Sequence, residues 1–362
     1  MRPTATRWNL WFAVWVFAGC ATTRPGDEPA KGGAAAPGTA AAKVAPATPP
    51  ALEKVREELQ FAPWEVALSG VRGETGPTEM VRARNLVNRP VTISGVKVVG
   101  DAANLFSVKG APAFPVVIPA GGSLAVEVEL GPPPDASAGL QRGVLRFQTG
   151  DSSDEGPSAD LAALVLSGRD ADAEPTLQQI VDALGFAVDV GAKTLQLPDG
   201  NEARGDEAIG AALFQRARPT PVALNPVARF SPDGTVAYGY YLPGQSLRNV
   251  DTRQLGVMVA GQAGTLNPEV EAGAETNFDP GEARFGVWMS SPDVVVGGAP
   301  QRAFTEVRRN RGERRSLARV YPLRTRGGAP VPDTFLVAFG EATRADYQDA
   351  VFVLSNVKLV GR

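Results

Sequence analysis

Three groups of side chains in this 362-residue chain have types and spacings suited to chemistry. Glu341, Asp346 and Asp349 fall within nine residues, just ahead of the apolar run Val351-Phe352-Val353. Hard carboxylate oxygens gathered in a turn suit Ca²⁺. Arg344 sits among them, however, and the spacing is not that of the twelve-residue EF-hand loop. The residue types favour a plainer reading, in which Asp346 and Asp349 accept backbone N–H groups and hold the turn. The second group is Tyr238, Tyr240 and Trp288, whose rings would suit the apolar face of a sugar. At period two, Tyr238 and Tyr240 share one face of a strand and Tyr241 takes the other. Core packing accounts for half of these aromatics without any ligand. The third group is Arg308, Arg309, Arg311, Arg314 and Arg315, with Arg319 beyond. Guanidinium forks match phosphate and carboxylate, so an anionic ligand is one reading. Glu306 and Glu313 interleave with them, and a solvated charged loop is the simpler one.

What is missing narrows the field further. The chain has no histidine and one cysteine. That removes imidazole general-base chemistry, His or Cys metal sites and any intramolecular disulfide. Ser231, Ser290 and Ser291 lack a G-x-S-x-G elbow, and Gly297-Gly298 does not lead into a phosphate-binding loop. Glycoside hydrolysis needs two carboxylates about 5 to 9.5 Å apart, and 39 acidic residues make some such pair inevitable. A net charge of −3 gives no general attraction to nucleic acid or to anionic membranes, and no nucleic-acid partner is expected. No cofactor is expected beyond the Ca²⁺ weighed above.

The sole cysteine stands at one particular place. Arg2 and Arg7 precede an apolar run from Trp8 to Ala18, too short to span a bilayer as a helix, which needs about 20 residues. Positive charge, a short apolar core and small residues read as a secretory signal peptide over residues 1–19. The sequence Phe17-Ala18-Gly19-Cys20 resembles a bacterial lipobox, with Phe17 where leucine is usual. The resemblance implies diacylglyceryl and fatty acyl (palmitate) groups on Cys20, and two or three chains anchor firmly where one does not. Ala21 follows, where in Gram-negative lipoproteins an aspartate favours inner-membrane retention, so the implied location is the cell envelope, the outer membrane before the inner. Residues 20–50, rich in Ala, Pro, Gly and Thr, read as a disordered tether reaching roughly 30 Å as a coil. Residues 51–60 read as a short helix or linker, with Leu52, Val55 and Leu59 on one face.

The elements that must position the candidate groups follow from the apolar pattern. Residues 61–169 alternate apolar and polar side chains between turn signals, as in Val91 to Val99 and Leu124 to Leu130. About seven short strands at this spacing predict a two-sheet sandwich. The Asn88 turn with Pro90-Val91, Phe106-Ser107-Val108, Ile118 to Ser123 and the closing Leu166-Ser167-Gly168 resemble immunoglobulin-like domains of the major-sperm-protein and abnormal-spindle type. Residues 170–362 open with a predicted helix carrying Leu177, Ile180, Val181 and Leu184, ended by Gly185. Strands then predominate, giving a second β-sandwich-like domain with one or two short helices. Glu174 to Gln178, Pro226 to Pro232, Phe285 to Trp288, Arg319 to Leu323 and Asp346 to Asp349 make it similar to an uncharacterised C-terminal β-sandwich domain of bacterial surface proteins.

The function this pattern favours is a non-enzymatic envelope lipoprotein, held to a membrane through Cys20 and touching a protein or polysaccharide partner. A carboxylate-dependent glycan hydrolase and a periplasmic assembly factor that pairs client strands at an open sheet edge are the alternatives.

Overall fold

The computed structural model describes residues 58–149, 156–169, 173–194, 204–208, 213–244, 250–296, 299–310, 316–340 and 346–360, with side chains omitted over 291–300. The signal segment, Cys20, the tether, residues 51–57, Arg311, Arg314, Arg315 and Glu341 lie outside the described residues. The chain is mainly β: an immunoglobulin-like sandwich is followed by a second β-sandwich carrying a short helix. Among the described residues no helix is long and apolar enough to cross a membrane.

The first sandwich contains β1 (Leu59–Ala62), β2 (Glu65–Val71), β3 (Thr78–Asn85), β4 (Val91–Gly100), β5 (Phe106–Lys109), β6 (Val116–Ile118), β7 (Ser123–Leu130), β8 (Gly139–Thr149) and β9 (Ser158–Leu166). One sheet runs β1-β3-β7-β5 and the other β2-β9-β8-β4-β6. Alternation sets the inner face: Leu124, Val126, Val128 and Leu130 of β7 are buried, while Ser123 and Ala125 are exposed. These residues pack on Leu145 and Phe147 of β8 and on Leu161, Ala163 and Val165 of β9. Leu59, read from the sequence as part of a short helix, opens β1 instead, because its pairing with Asn85 buries it in this core. Asn85 closes β3 from inside. Its amide donates to the carbonyls of Arg89, Ile118 and Pro119, and its oxygen accepts the Val87 N–H.

The second unit begins at α1 (Leu177–Ala183). Thr176 caps it: its hydroxyl accepts the Gln179 N–H while the Gln179 side chain accepts the Thr176 N–H, a reciprocal box. Gly185, at φ 75°, turns the chain out of the helix. The strands that follow are β10 (Leu213–Arg216), β11 (Val222–Arg229), β12 (Val236–Pro243), β13 (Val250–Met258), β14 (Thr265–Leu266), β15 (Asn277–Phe278), β16 (Gly286–Val296), β17 (Ala299–Phe304), β18 (Ala318–Arg324), β19 (Pro330–Phe339), β20 (Ala350–Ser355) and β21 (Val357–Val360). A sheet ordered β14-β11-β20-β19-β18, with β15 beside β11, faces a four-stranded sheet ordered β13-β12-β16-β17. Val222, Leu224, Phe352 and Leu354 from the first meet Tyr238, Tyr240, Val287 and Met289 from the second.

The two sandwiches share a third core. β9 alternates between them: Leu161, Ala163 and Val165 face the first core, whereas Ala162, Leu164 and Leu166 join Ile180 and Val181 of α1, Val227 of β11, Leu336 of β19 and Val351 of β20. β2 divides in the same way, with Val66 and Leu68 on one side and Ala67 on the other. The outer edge of β2 is closed by the second unit. Ser69 Oγ donates to Gly264 O at 2.8 Å and accepts the Leu266 N–H at 2.9 Å.

Candidate functional site

The acidic turn ahead of β20 is docked rather than open. Asp346 and Asp349 are both buried. Tyr347 between them has a φ of 57°, a left-handed conformation rare for a bulky side chain. Two contacts hold it there: its hydroxyl donates to Ser316 O at 2.8 Å, and the Arg319 guanidinium lies 4.9 Å from its ring centroid. Gln348 donates to Glu174 Oε2 at 2.8 Å, and its own carbonyl, with that of Asp349, accepts the Phe230 N–H. The turn is therefore tied to β11, to β18 and to the approach to α1.

Arg319, on β18, links this turn to a distant segment. Its guanidinium pairs with Glu207, which also accepts the Arg204 N–H, and Ala208 N–H bonds to Val320 O at 2.8 Å. Residues 204–208 are thus fastened over the edge of β18. Burial lifts the Glu207 carboxyl above its ordinary value, opposed by the attraction of Arg319. Burial likewise raises the Tyr321 hydroxyl nearby. A carboxyl of raised pKa next to an arginine is a proton-transfer pair when a substrate can reach it. Here Arg319 is only 1% exposed. Neither of two surface concavities, of about 440 and 240 Å³, is lined by Glu207, Arg319, Asp346 or Asp349. Among the described residues no group of three His, Cys, Asp or Glu side chains is placed to hold a metal ion. The geometry of Asp346 and Asp349 is that of a turn locked into the fold.

The stacking platform expected from Tyr238, Tyr240 and Trp288 does not form. All three are buried, and they divide between two faces. The pairing Tyr238↔Met289 and Gly239↔Trp288 puts Trp288 on the side of Tyr241, opposite Tyr238 and Tyr240. Tyr240 stacks on Phe278 with centroids 4.2 Å apart, and Tyr238 packs on Phe352 at 5.3 Å, so protein covers these rings. Trp288 lies under the Arg302 guanidinium at 4.6 Å and donates its indole N–H to Tyr240 O. Tyr241 packs so closely over β16 that a Cβ on Gly286 would stand 2.3 Å from its ring. Burial pushes the Tyr238 hydroxyl up to about 12, and among the described residues this hydroxyl has no hydrogen-bond partner.

The basic stretch is likewise drawn inward at its start. Val307–Arg309 forms a 3-10 turn. Arg309 is buried, pairs with the equally buried Glu306 and lies 5.3 Å from the centroid of the Tyr241 ring. Arg308 pairs with the same carboxylate at 2.7 Å. Glu306, which the sequence suggested as a mere interruption, is the counter-charge that both arginines share, holding Arg309 inside the fold while Arg308 keeps its side chain exposed.

The remaining expectations can be judged from the same geometry. A strand-pairing surface needs a long open edge. In the first sandwich the long edge strand β2 is covered by the second unit, and the other edges, β1, β5 and β6, are only four, four and three residues long. Glu271 and Glu275 line the smaller concavity and are exposed, without the enclosure that glycan cleavage uses. Sequence reasoning missed Glu207, Glu306 and Asn85. Glu207 acts through a partner on another element and Glu306 through the arginines two and three residues on, but Asn85, an amide at the inward position after Val81 and Ala83, was a readable signal.

No protein-family model and no curated protein matches the chain. Solved structures do. A major-sperm-protein family member of C. elegans, WR4, is 10% identical over 30% of this chain and 99% of its own, with a TM-score of 0.20. The E. coli chaperone DraB is 8% identical over 64% of this chain and 90% of its own, at 0.24. A family 123 glycoside hydrolase from Clostridium perfringens is 13% identical over 32% of this chain and 24% of its own, at 0.22. These likenesses assign no chemistry. The immunoglobulin-like character of the fold stands on the strand order described above.

Proposed function

We propose that this chain is a non-enzymatic cell-envelope lipoprotein, anchored through acylated Cys20 and presenting its double sandwich as one stiff body to a protein or polysaccharide partner. One observation carries the reading. Among the described residues Tyr238, Tyr240, Trp288, Arg309, Asp346 and Asp349 are buried in packing, and β2 and β9 join the two sandwiches through a shared core. Such a body suits holding and contact. The location favoured is the outer membrane, because Ala21 stands where an aspartate would favour inner-membrane retention. The acidic turn is taken as a locked turn with no bound calcium.

Detergent partitioning and intact-mass analysis of the processed protein test the anchor. The expected result is a chain beginning at Cys20, carrying two or three acyl chains and entering the detergent phase. A free thiol at position 20, or retention of residues 1–19, would overturn the proposal. Turnover of a cell-wall or matrix glycan by the purified protein would favour the hydrolase instead.

A further inference from the structure

Four large apolar side chains are exposed among the described residues, and two of them, Met80 and Leu86, lie on one sheet face. Along β3 and just past its end, Met80, Arg82, Arg84 and Leu86 recur at period two and all point outward, while Val81, Ala83 and Asn85 fill the core. Met80 is 44% and Leu86 41% exposed. Leu86 stays in line with the strand because its N–H bonds to Glu58 O at 3.0 Å, continuing the β1 pairing. Trp64, 55% exposed, stands where the chain leaves β1. That is the end of β1 at which Ala62 pairs with Arg82, so the indole lies at the Met80 end of the stripe. Neither Arg82 nor Arg84 has an ion pair or side-chain hydrogen bond among the described residues. The acids near them are few. Glu127 lies opposite Met80, Glu129 is taken by Lys109 and Ser107, and Glu58 by Arg89.

Two aliphatic side chains and two uncommitted arginines on one face, with an exposed tryptophan where the chain crosses from β1 to β2 beside it, form a composition with a physical preference. Indole partitions to the boundary between headgroup and acyl chain, and arginine is drawn to anionic headgroups. The placement agrees: β1 is the edge strand at which the chain enters the fold, so this face borders the connection that leads back to Cys20. We propose that the outer face of β3 (Met80, Arg82, Arg84 and Leu86), with Trp64 at its margin, rests on an anionic phospholipid surface, laying the double sandwich against the membrane. The surface contributes reversible binding of its own. This deepens the envelope reading and supplies an orientation that the anchor alone does not give.

The test uses residues 20–362 with Cys20→Ser, so that neither acyl groups nor the apolar segment 8–18 contributes. Binding is measured by co-sedimentation with vesicles of phosphatidylglycerol and phosphatidylcholine in equal parts, and with phosphatidylcholine alone. The expected result is salt-sensitive binding to the anionic vesicles with a blue shift of Trp64 emission. Arg82→Gln and Arg84→Gln should each weaken it about fivefold. Trp64→Gln should abolish the shift, while Arg253→Gln, on β13 of the second sandwich, leaves binding unchanged. All four positions are solvent-facing, and unchanged melting curves confirm that the variants fold. Absence of binding, an equal loss with Arg253→Gln, or a lipid-independent dimer that buries Trp64 would each overturn the proposal. Because the anchor is judged by mass analysis and this face without acyl groups, the two can fail separately.

Discussion

Leu164→Ala probes the weld between the sandwiches. Leu164 is fully buried near the end of β9, in the cluster that contains α1 and strands β11, β19 and β20. Truncating a buried leucine costs roughly 2.7–5 kcal/mol, more where the surroundings cannot close the gap. β9 is hydrogen-bonded on both sides, to β2 and β8, so its backbone has little freedom to collapse. The expected cost is therefore about 4 kcal/mol. For a unit of this size each kcal/mol moves the midpoint by roughly 2–4 °C, so the melting temperature should fall by about 8–16 °C. Leu161→Ala is the companion variant, on the same strand but facing only the first core. Scanning calorimetry should show a single transition for the parent, and both variants should displace all of it. Two resolved transitions, with Leu161→Ala moving only one, would refute the shared core as the source of cooperativity. So would a loss below about 1 kcal/mol for Leu164→Ala.

Asn85→Ala removes an amide that serves three carbonyls and one N–H. With buried groups left unmet at roughly 1–3 kcal/mol each, a loss of about 2–4 kcal/mol is expected in urea unfolding, with the slope unchanged. Tyr238→Phe deletes a hydroxyl that has no partner among the described residues, and should leave stability equal or about 1 kcal/mol higher. Tyr241→Phe strips the acceptor from the Glu306 N–H and should cost about 1–2 kcal/mol, so chemical denaturation should rank the two oppositely. Glu207 predicts a pH effect of definite sign. Its carboxyl titrates above its ordinary value of 4.5 in the folded chain, so between those two points the folded state holds a proton that the unfolded state has lost. Its contribution to stability is therefore greatest at acid pH and declines as pH rises through that window. The melting difference between parent and Glu207→Gln should shift in favour of the parent as pH falls from neutrality to 4.5, and a shift the other way would contradict the burial argument.

Much of the frame was legible because one-sided burial writes itself as alternation. Ser123–Leu130 reads as a strand from its apolar period alone, and Thr176 to Gly185 announces a capped helix. The legibility failed where a strand is covered on both sides. Val66-Ala67-Leu68 carries no alternation, because its two faces serve different cores, and it went unread. The run Leu161–Leu166 reads as a strand from its length and its turn signals, and its lack of polar positions is the mark of contact between the sandwiches. The candidate sites fared worse for a related reason. Whether Trp288 shares a face with Tyr240 or Tyr241 depends on pairing across strands, and Glu207 meets Arg319 over a separation of 112 residues. Composition names such groups; only tertiary register says whether they meet solvent.

The direction of one pairing governs how the molecule would bear tension. β2 lies parallel to β9, from Glu65↔Asp160 to Val71↔Leu166. The chain passes from β1 into the start of β2 and leaves for the second unit from the end of β9, so once β1 has parted from β3 a pull between the N-terminus and the C-terminal half draws β2 and β9 lengthwise past each other. Every rung of that ladder is loaded at once, whereas an antiparallel hairpin pulled at its open end parts one rung at a time. On the proposed anchoring, a body held from its N-terminal side and loaded through its C-terminal half would be pulled along this ladder of parallel rungs.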